Sequence, residues 1–155
     1  MKYISSDIKQ YTQAKEYIDT AILPLIPYTF KSDQDLLQLS VQKDLIQLYV
    51  SQIENELKGR VFVLPEYNYL KSDKIQEDEK GRLQNLLVHL EHQPFKYIFL
   101  ITSDNKWRKI TKDMEAELIW IPAMSDTDLN QQETQQLVQS QVKEIQSLIK
   151  DSWED

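Results

Sequence analysis

The chain has 155 residues and a formal net charge of −7, from 18 Lys and Arg against 25 Asp and Glu. That length suits one domain over residues 1–155 with a real core, and the acidic balance repels nucleic-acid backbones and anionic membrane surfaces, so neither is an expected partner. It contains no cysteine, which excludes disulfides, thiolate nucleophiles and Cys-ligated zinc or iron–sulfur centres.

Residues 1–15 carry charges and no long apolar core, unlike a secretory leader. No apolar run approaches the ~18 to 20 residues that span a bilayer. The expected location is cytoplasmic.

Residues 2–5 read as a short first strand. Ser6 or Asp7 then caps a helix that places Ile8, Tyr11, Ala14, Ile18 and Ile22 on one face, at intervals of three and four. Residues 22–30 form the second strand. Pro24 and Pro27 cannot donate to a ladder, which predicts that this strand starts late or lies at an edge. Ser32, with Asp35 three residues on, is a capping-box variant that opens a long helix. Its buried stripe is Ile46, Tyr49, Val50, Ile53 and Leu57, and Gly59 stands just past its end. Residues 61–64 are a continuous apolar run, as in a strand buried on both faces.

Residues 65–78 read as a long polar connection. The third helix carries Leu83, Leu86, Leu87 and Leu90 on one side and stops before Pro94. Residues 97–102 are the strongest strand, expected beside residues 61–64 and parallel to them, with both Ile98 and Phe99 buried. Ser103 or Asp104 caps a short helix through Trp107, Ile110 and Met114; a hairpin loop is the alternative over residues 103–116. Residues 118–121 are the last strand. A final helix runs from near residue 130 to 153, turning Val138, Val142, Ile145, Ile149 and Trp153 inward.

The alternation of helical stripes and apolar runs gives five βα units. The expected fold is α/β and three-layered: a five-stranded, mainly parallel sheet with helices on both faces, in the flavodoxin-like, Rossmann-like order 2-1-3-4-5.

Ser5-Ser-Asp7, the run Ala14-Lys-Glu-Tyr-Ile-Asp-Thr-Ala-Ile-Leu-Pro-Leu-Ile-Pro27, and the apolar stretch ahead of Pro65-Glu-Tyr67 resemble the YpiF-like family of small proteins from Gram-positive bacteria. The resemblance extends over nearly the whole chain. It implies a bacterial cytoplasmic protein, and it carries no activity or catalytic residue over to positions here.

Only two glycines, Gly59 and Gly81, are present. A loop that cradles phosphate needs several, so no nucleotide or flavin cofactor is expected. The carboxyl edge of the sheet is the place to look for a ligand. Ser5, Ser6 and Asp7 follow the first strand, Ser32 and Asp33 the second, Glu66 and Tyr67 the third, Ser103 and Asp104 the fourth. From these the candidate ligand-binding residues are Asp7, Asp33, Glu66, Tyr67, Ser103, Asp104 and Arg108. Acids and hydroxyls gathered there bind a cation or a polar metabolite; the same residue types are also the preferred helix caps.

A receiver-type phosphoacceptor does not fit. Asp7 has no acidic neighbour, Glu66 stands where an Asp is needed, and Pro122-Ala-Met124 supplies no lysine. In Lys106-Trp-Arg-Lys109 the favoured reading turns Trp107 inward and leaves the cations solvated. His89 and His92, at i and i+3, read as boundary residues rather than zinc ligands. No nucleophile elbow is present, so no catalytic residue and no metal ligand is assigned. The leading reading is a non-catalytic protein-interaction or regulatory module, with an unknown protein or a second copy as partner. The alternative is an enzyme or sensor for a small polar ligand or cation at the carboxyl edge. Convergence of the candidate side chains in one pocket favours the second; each serving its own helix favours the first.

Overall fold

A computed structural model describes residues 1–125 and 131–154. The sheet is built on β1, Thr20–Tyr28, whose first eight residues are all buried. On one side β2 (Val61–Val63) pairs with its first half and β3 (Tyr67–Leu70) with its second. On the other side lies β4 (Tyr97–Thr102), followed by β5 (Glu117–Trp120). Every pairing is parallel, and the order is β2-β1-β4-β5 with β3 also beside β1.

Among the described residues, five α-helices connect and cover the strands: α1 (Ser5–Ala14), α2 (Asp33–Glu56), α3 (Glu77–His89), α4 (Trp107–Ile110) and α5 (Gln132–Glu154). Successive strand residues point to opposite faces. Ile22 and Ile26 of β1 enter one core with Tyr49 and Ile53 of α2 and Val138 and Ile149 of α5. Ala21, Leu23 and Leu25 enter a second core with Tyr11 of α1, Leu83 of α3 and Trp107 of α4. The architecture is therefore a three-layer α/β sheet with helices on both faces. No described helix is long and apolar enough to cross a membrane.

Local signals act as the sequence implies at several points. The Ser32 hydroxyl accepts the Asp35 N–H at 3.1 Å and caps α2. Gly59, at φ 91°, turns the chain from α2 toward β2. Val138, Val142 and Ile149 are buried, with Ile145 and Trp153 packed against them. Residues 107–110 form α4, continued by a 3-10 turn over Thr111–Asp113, so the helix rather than the hairpin occupies this stretch. Tyr49 donates to Gln141 and joins α2 to α5; burial pushes its phenol up to about 12.

Other expectations are corrected. Residues 2–5 are not a strand: Lys2 makes a single bridge to Val63, and Ser5 already begins α1. Ile4, not Ser6 or Asp7, occupies the cap position of α1, without a side-chain cap. The polar connection hides β3. Residues 61–64 and 97–102 are parallel but not adjacent, because β1 lies between them. The strand order departs from 2-1-3-4-5 for the same reasons. Phe99 is buried, whereas Ile98 is half-buried over a shallow cleft near Val88 and Met114.

The two prolines do not push β1 to an edge. In a parallel strand, alternate residues bond to alternate neighbours. Ile22 and Tyr28 accept from Leu64 and Lys71 on the β2/β3 side, and Asp19 accepts from Lys96 and Tyr97 on the β4 side. Pro24 thus turns its missing N–H toward the break between β2 and β3. Pro27 turns its own toward β4, beyond the last partner pair, Pro24 and Ile101. A proline is tolerated at the sheet centre where no neighbour is left to accept.

At the amino edge Arg60 grips Asp19 with two hydrogen bonds, 2.8 and 3.0 Å, and lies 4.0 Å over the Trp153 ring. The Trp153 indole donates to Thr20 Oγ1 at 2.7 Å, fastening the end of α5. Burial alone raises the Asp19 carboxyl pKa, but hydrogen bonds from Arg60 and Thr20 and the guanidinium charge together hold it below its ordinary value. Its stabilising contribution is therefore present above the unfolded-state pKa of about 4 and is lost as pH falls through the lower folded-state value. We expect Asp19→Asn to flatten the acid limb of the stability curve, measured as urea midpoint against pH. An unchanged limb contradicts the assignment.

Candidate functional site

The carboxyl edge is organised around the end of β4. Thr102 Oγ1 donates to the Leu25 carbonyl at 3.0 Å and accepts the Asp104 N–H at 3.1 Å, so the chain turns where the ladder stops. Asp104 is only 4% exposed. It accepts the Tyr69 hydroxyl at 2.6 Å and the Lys106 N–H at 3.2 Å, and the Lys71 ammonium lies 3.6 Å away. Tyr69 in turn accepts the Trp107 indole N–H at 2.8 Å. Burial, with the Asp104 charge added, raises the Tyr69 phenol well above its ordinary range, so it stays a donor.

The other candidates are spread over separate neighbours. Among the described residues Ser103 Oγ is buried with no hydrogen-bond partner, while its carbonyl accepts the Trp120 indole at 3.3 Å. Arg108 lies 5.5 Å over the Trp120 ring. Asp33 is exposed in the first turn of α2. Asp7 accepts the Lys2 N–H at 2.8 Å and closes the turn before α1. Glu66 reaches α2, accepting Gln47 at 2.7 Å with Lys43 at 3.5 Å. Tyr67 reaches α3 instead: its hydroxyl donates to the Glu79 carboxylate and carbonyl, and Arg82 lies 4.3 Å over its ring. Burial first, then Glu79, raises the Tyr67 phenol. Asp7, Glu66 and Asp104 each serve a different partner. Trp107 is fully buried, as the inward reading has it.

Two features escape sequence reasoning. The first is a set of lysines at the carboxyl edge, Lys31, Lys71 and Lys106, which border one small cleft. The second is a groove of about 640 Å3 between α1 and α3. Leu23, Phe62 and Leu64 of the sheet form its floor; Ile8 and Tyr11 of α1 face Leu86 and Leu90 across it. Tyr11 packs on Phe62 and Phe95, with ring centroids 5.0 and 6.0 Å apart, and donates to Gln93 at 2.8 Å. Lys15, Arg82 and His89 stand at the rim. Tyr3, 66% exposed, also lines the groove. His89 and His92 hold their rings 5.3 Å apart. Among the described residues no group of three or more His, Asp or Glu side chains is placed to hold a metal ion.

Comparison with known proteins places the chain in a family. Residues 9–153 match the family described as a protein of unknown function, DUF2487, and the chain belongs to it. A relative from Bacillus subtilis (strain 168), described as uncharacterized protein YpiF, is 29% identical over 153 residues, covering 99% of this chain and 98% of that one. A crystal structure of a putative creatinine amidohydrolase from Bacteroides fragilis NCTC 9343 superposes with a TM-score of 0.49 at 13% identity. It covers 72% of this chain and 53% of that one, so the chain spans about half its length, and a likeness this loose carries no argument about activity.

Proposed function

We propose that this DUF2487 protein is a non-catalytic binding module that seats an acid-flanked apolar segment of a partner protein in the groove between α1 and α3. The observation that carries this reading is the groove: about 640 Å3 of space over an aromatic and aliphatic floor, edged by cations. Its volume lies in the range of binding clefts. Lys15 follows α1, and Arg82, paired with Glu79 at 2.8 Å, stands on α3, so a basic side chain borders the groove on each wall, with Glu66 also in the lining. In a chain of net charge −7 these basic side chains complement an acidic flank on the partner.

The non-catalytic part is supported by the engagement of the carboxylates. Asp7 closes a turn, Glu66 ties the β2–β3 connection to α2, and Asp104 holds Tyr69. On this reading the protein acts in the cytoplasm, and its overall charge turns nucleic acid and anionic membranes away.

The test is a titration of 15N-labelled protein with a helical peptide of about four turns, leucines at helical spacing and glutamates at both ends. Amide shifts should concentrate on Tyr11, Phe62, Leu86 and Phe95. Leu86 is only half-buried, so Leu86→Lys should abolish those shifts while leaving the melting midpoint close to wild type. Shifts centred on the carboxyl edge, or none in the groove, overturn the reading.

A further inference from the structure

Open parallel sheets bind ligands outside the carboxyl ends of the strands, where the order of travel across the sheet reverses. Here β1 leads through α2 to β2 and β3 on one side, and β3 leads through α3 to β4 on the other. The reversal lies between the carboxyl ends of β1 and β4. A cleft of about 270 Å3 opens at this edge.

Three lysines border the cleft from three junctions: Lys31 after β1, Lys71 after β3 and Lys106 after β4. Lys106 Nζ donates to the Ser72 carbonyl at 2.7 Å, a neutral partner that fixes its position. Lys71 lies 3.6 Å from Asp104, whose other oxygen is taken by Tyr69. Lys31 is exposed. Asp35 and Asp73 also border the cleft. Asp35 sits in the first turn of α2, where the aligned N–H groups of that helix favour its charge. Through Thr29 and Leu39 the cleft adjoins a second one, of about 430 Å3, lined by Phe30 and Leu36.

We infer that this crevice binds a small anion, a phosphate or carboxylate on a compact apolar body. The head lies among Lys31, Lys71 and Lys106, and the body lies over Phe30 and Leu36. Lysines recognise such groups as point charges, so phosphate and carboxylate share one mode of capture.

The experiment follows the amides of Lys31, Lys71 and Lys106 by NMR during titration with phenyl phosphate, benzoate and benzyl alcohol at constant ionic strength. Both anions should give saturable shifts there, and neutral benzyl alcohol should not. Lys31→Gln with Lys106→Gln should weaken phenyl phosphate binding about tenfold, the loss of two partly screened charges. Lys31→Gln alone, at an exposed position, should weaken it about threefold without touching the fold. The Leu86→Lys variant should bind phenyl phosphate as wild type does, which separates this site from the groove. Non-saturable shifts, equal binding of benzyl alcohol, or indifference to both lysine variants overturn the inference.

Discussion

Replacing Trp107 with alanine is expected to lower the unfolding free energy by about 3 to 5 kcal/mol, the range for truncating a large buried aromatic. Trp107 is fully buried and meets Tyr67 and Tyr69 edge-on, with ring centroids 6.3 and 5.4 Å away. Alanine leaves a cavity and also removes the indole N–H that Tyr69 accepts. The helix that carries Trp107 is a single turn, too short to stand on its own hydrogen bonds, so it depends on this anchor. Trp107→Phe keeps the ring contacts and loses the donor, and should cost about 1 to 3 kcal/mol through the hydrogen bond alone. Urea unfolding followed by far-UV circular dichroism measures both. Equal costs for the two variants would show that packing is not what holds the turn.

The second large effect is a contrast within β4. Phe99 points into the core with α2 and α5 and is 1% exposed; its neighbour Ile98 faces the other way and is half-buried. Phe99→Ala should cost about 3 to 5 kcal/mol, and Ile98→Ala clearly less, because part of that side chain is already in water. Denaturant midpoints at constant slope give the comparison. Equal losses would place Ile98 as deep as Phe99 and contradict the asymmetry of the sheet at its amino end.

The parts of the fold legible in the sequence are those fixed by local chemistry. The Ser32 cap, the stripe of α5 and the apolar run of β4 each follow from residues a few positions apart. What misleads is context. Pro24 and Pro27 argue against a central strand until the neighbours are known; β2 breaks opposite one and β4 ends before the other. Residues 67–70 alternate buried and exposed as a strand should, yet the run is four residues long and follows a proline. Residues 2–5 have strand-forming side chains but are left with one bridge because α1 begins at Ser5.

The same cause hides the sites. Lys31, Lys71 and Lys106 each look like a solvated loop residue, and only the central place of β1 brings them to one cleft. The groove joins Tyr11 to Leu86 and Phe95, which no spacing rule connects. The expected cap of α4 is Ser103 or Asp104, but its cap position is Lys106, without a side-chain cap; Asp104 instead accepts the Lys106 N–H two residues on and shapes the turn before the helix.

The claim that the groove is a docking surface is tested most directly by calorimetry of the glutamate-flanked leucine peptide at several temperatures. Burial of apolar surface on binding gives a negative heat-capacity change. The account predicts such a change for the wild-type chain and its loss in Leu86→Lys, with the Lys31→Gln variant unaffected. A heat-capacity change near zero, or one that survives Leu86→Lys, would contradict it.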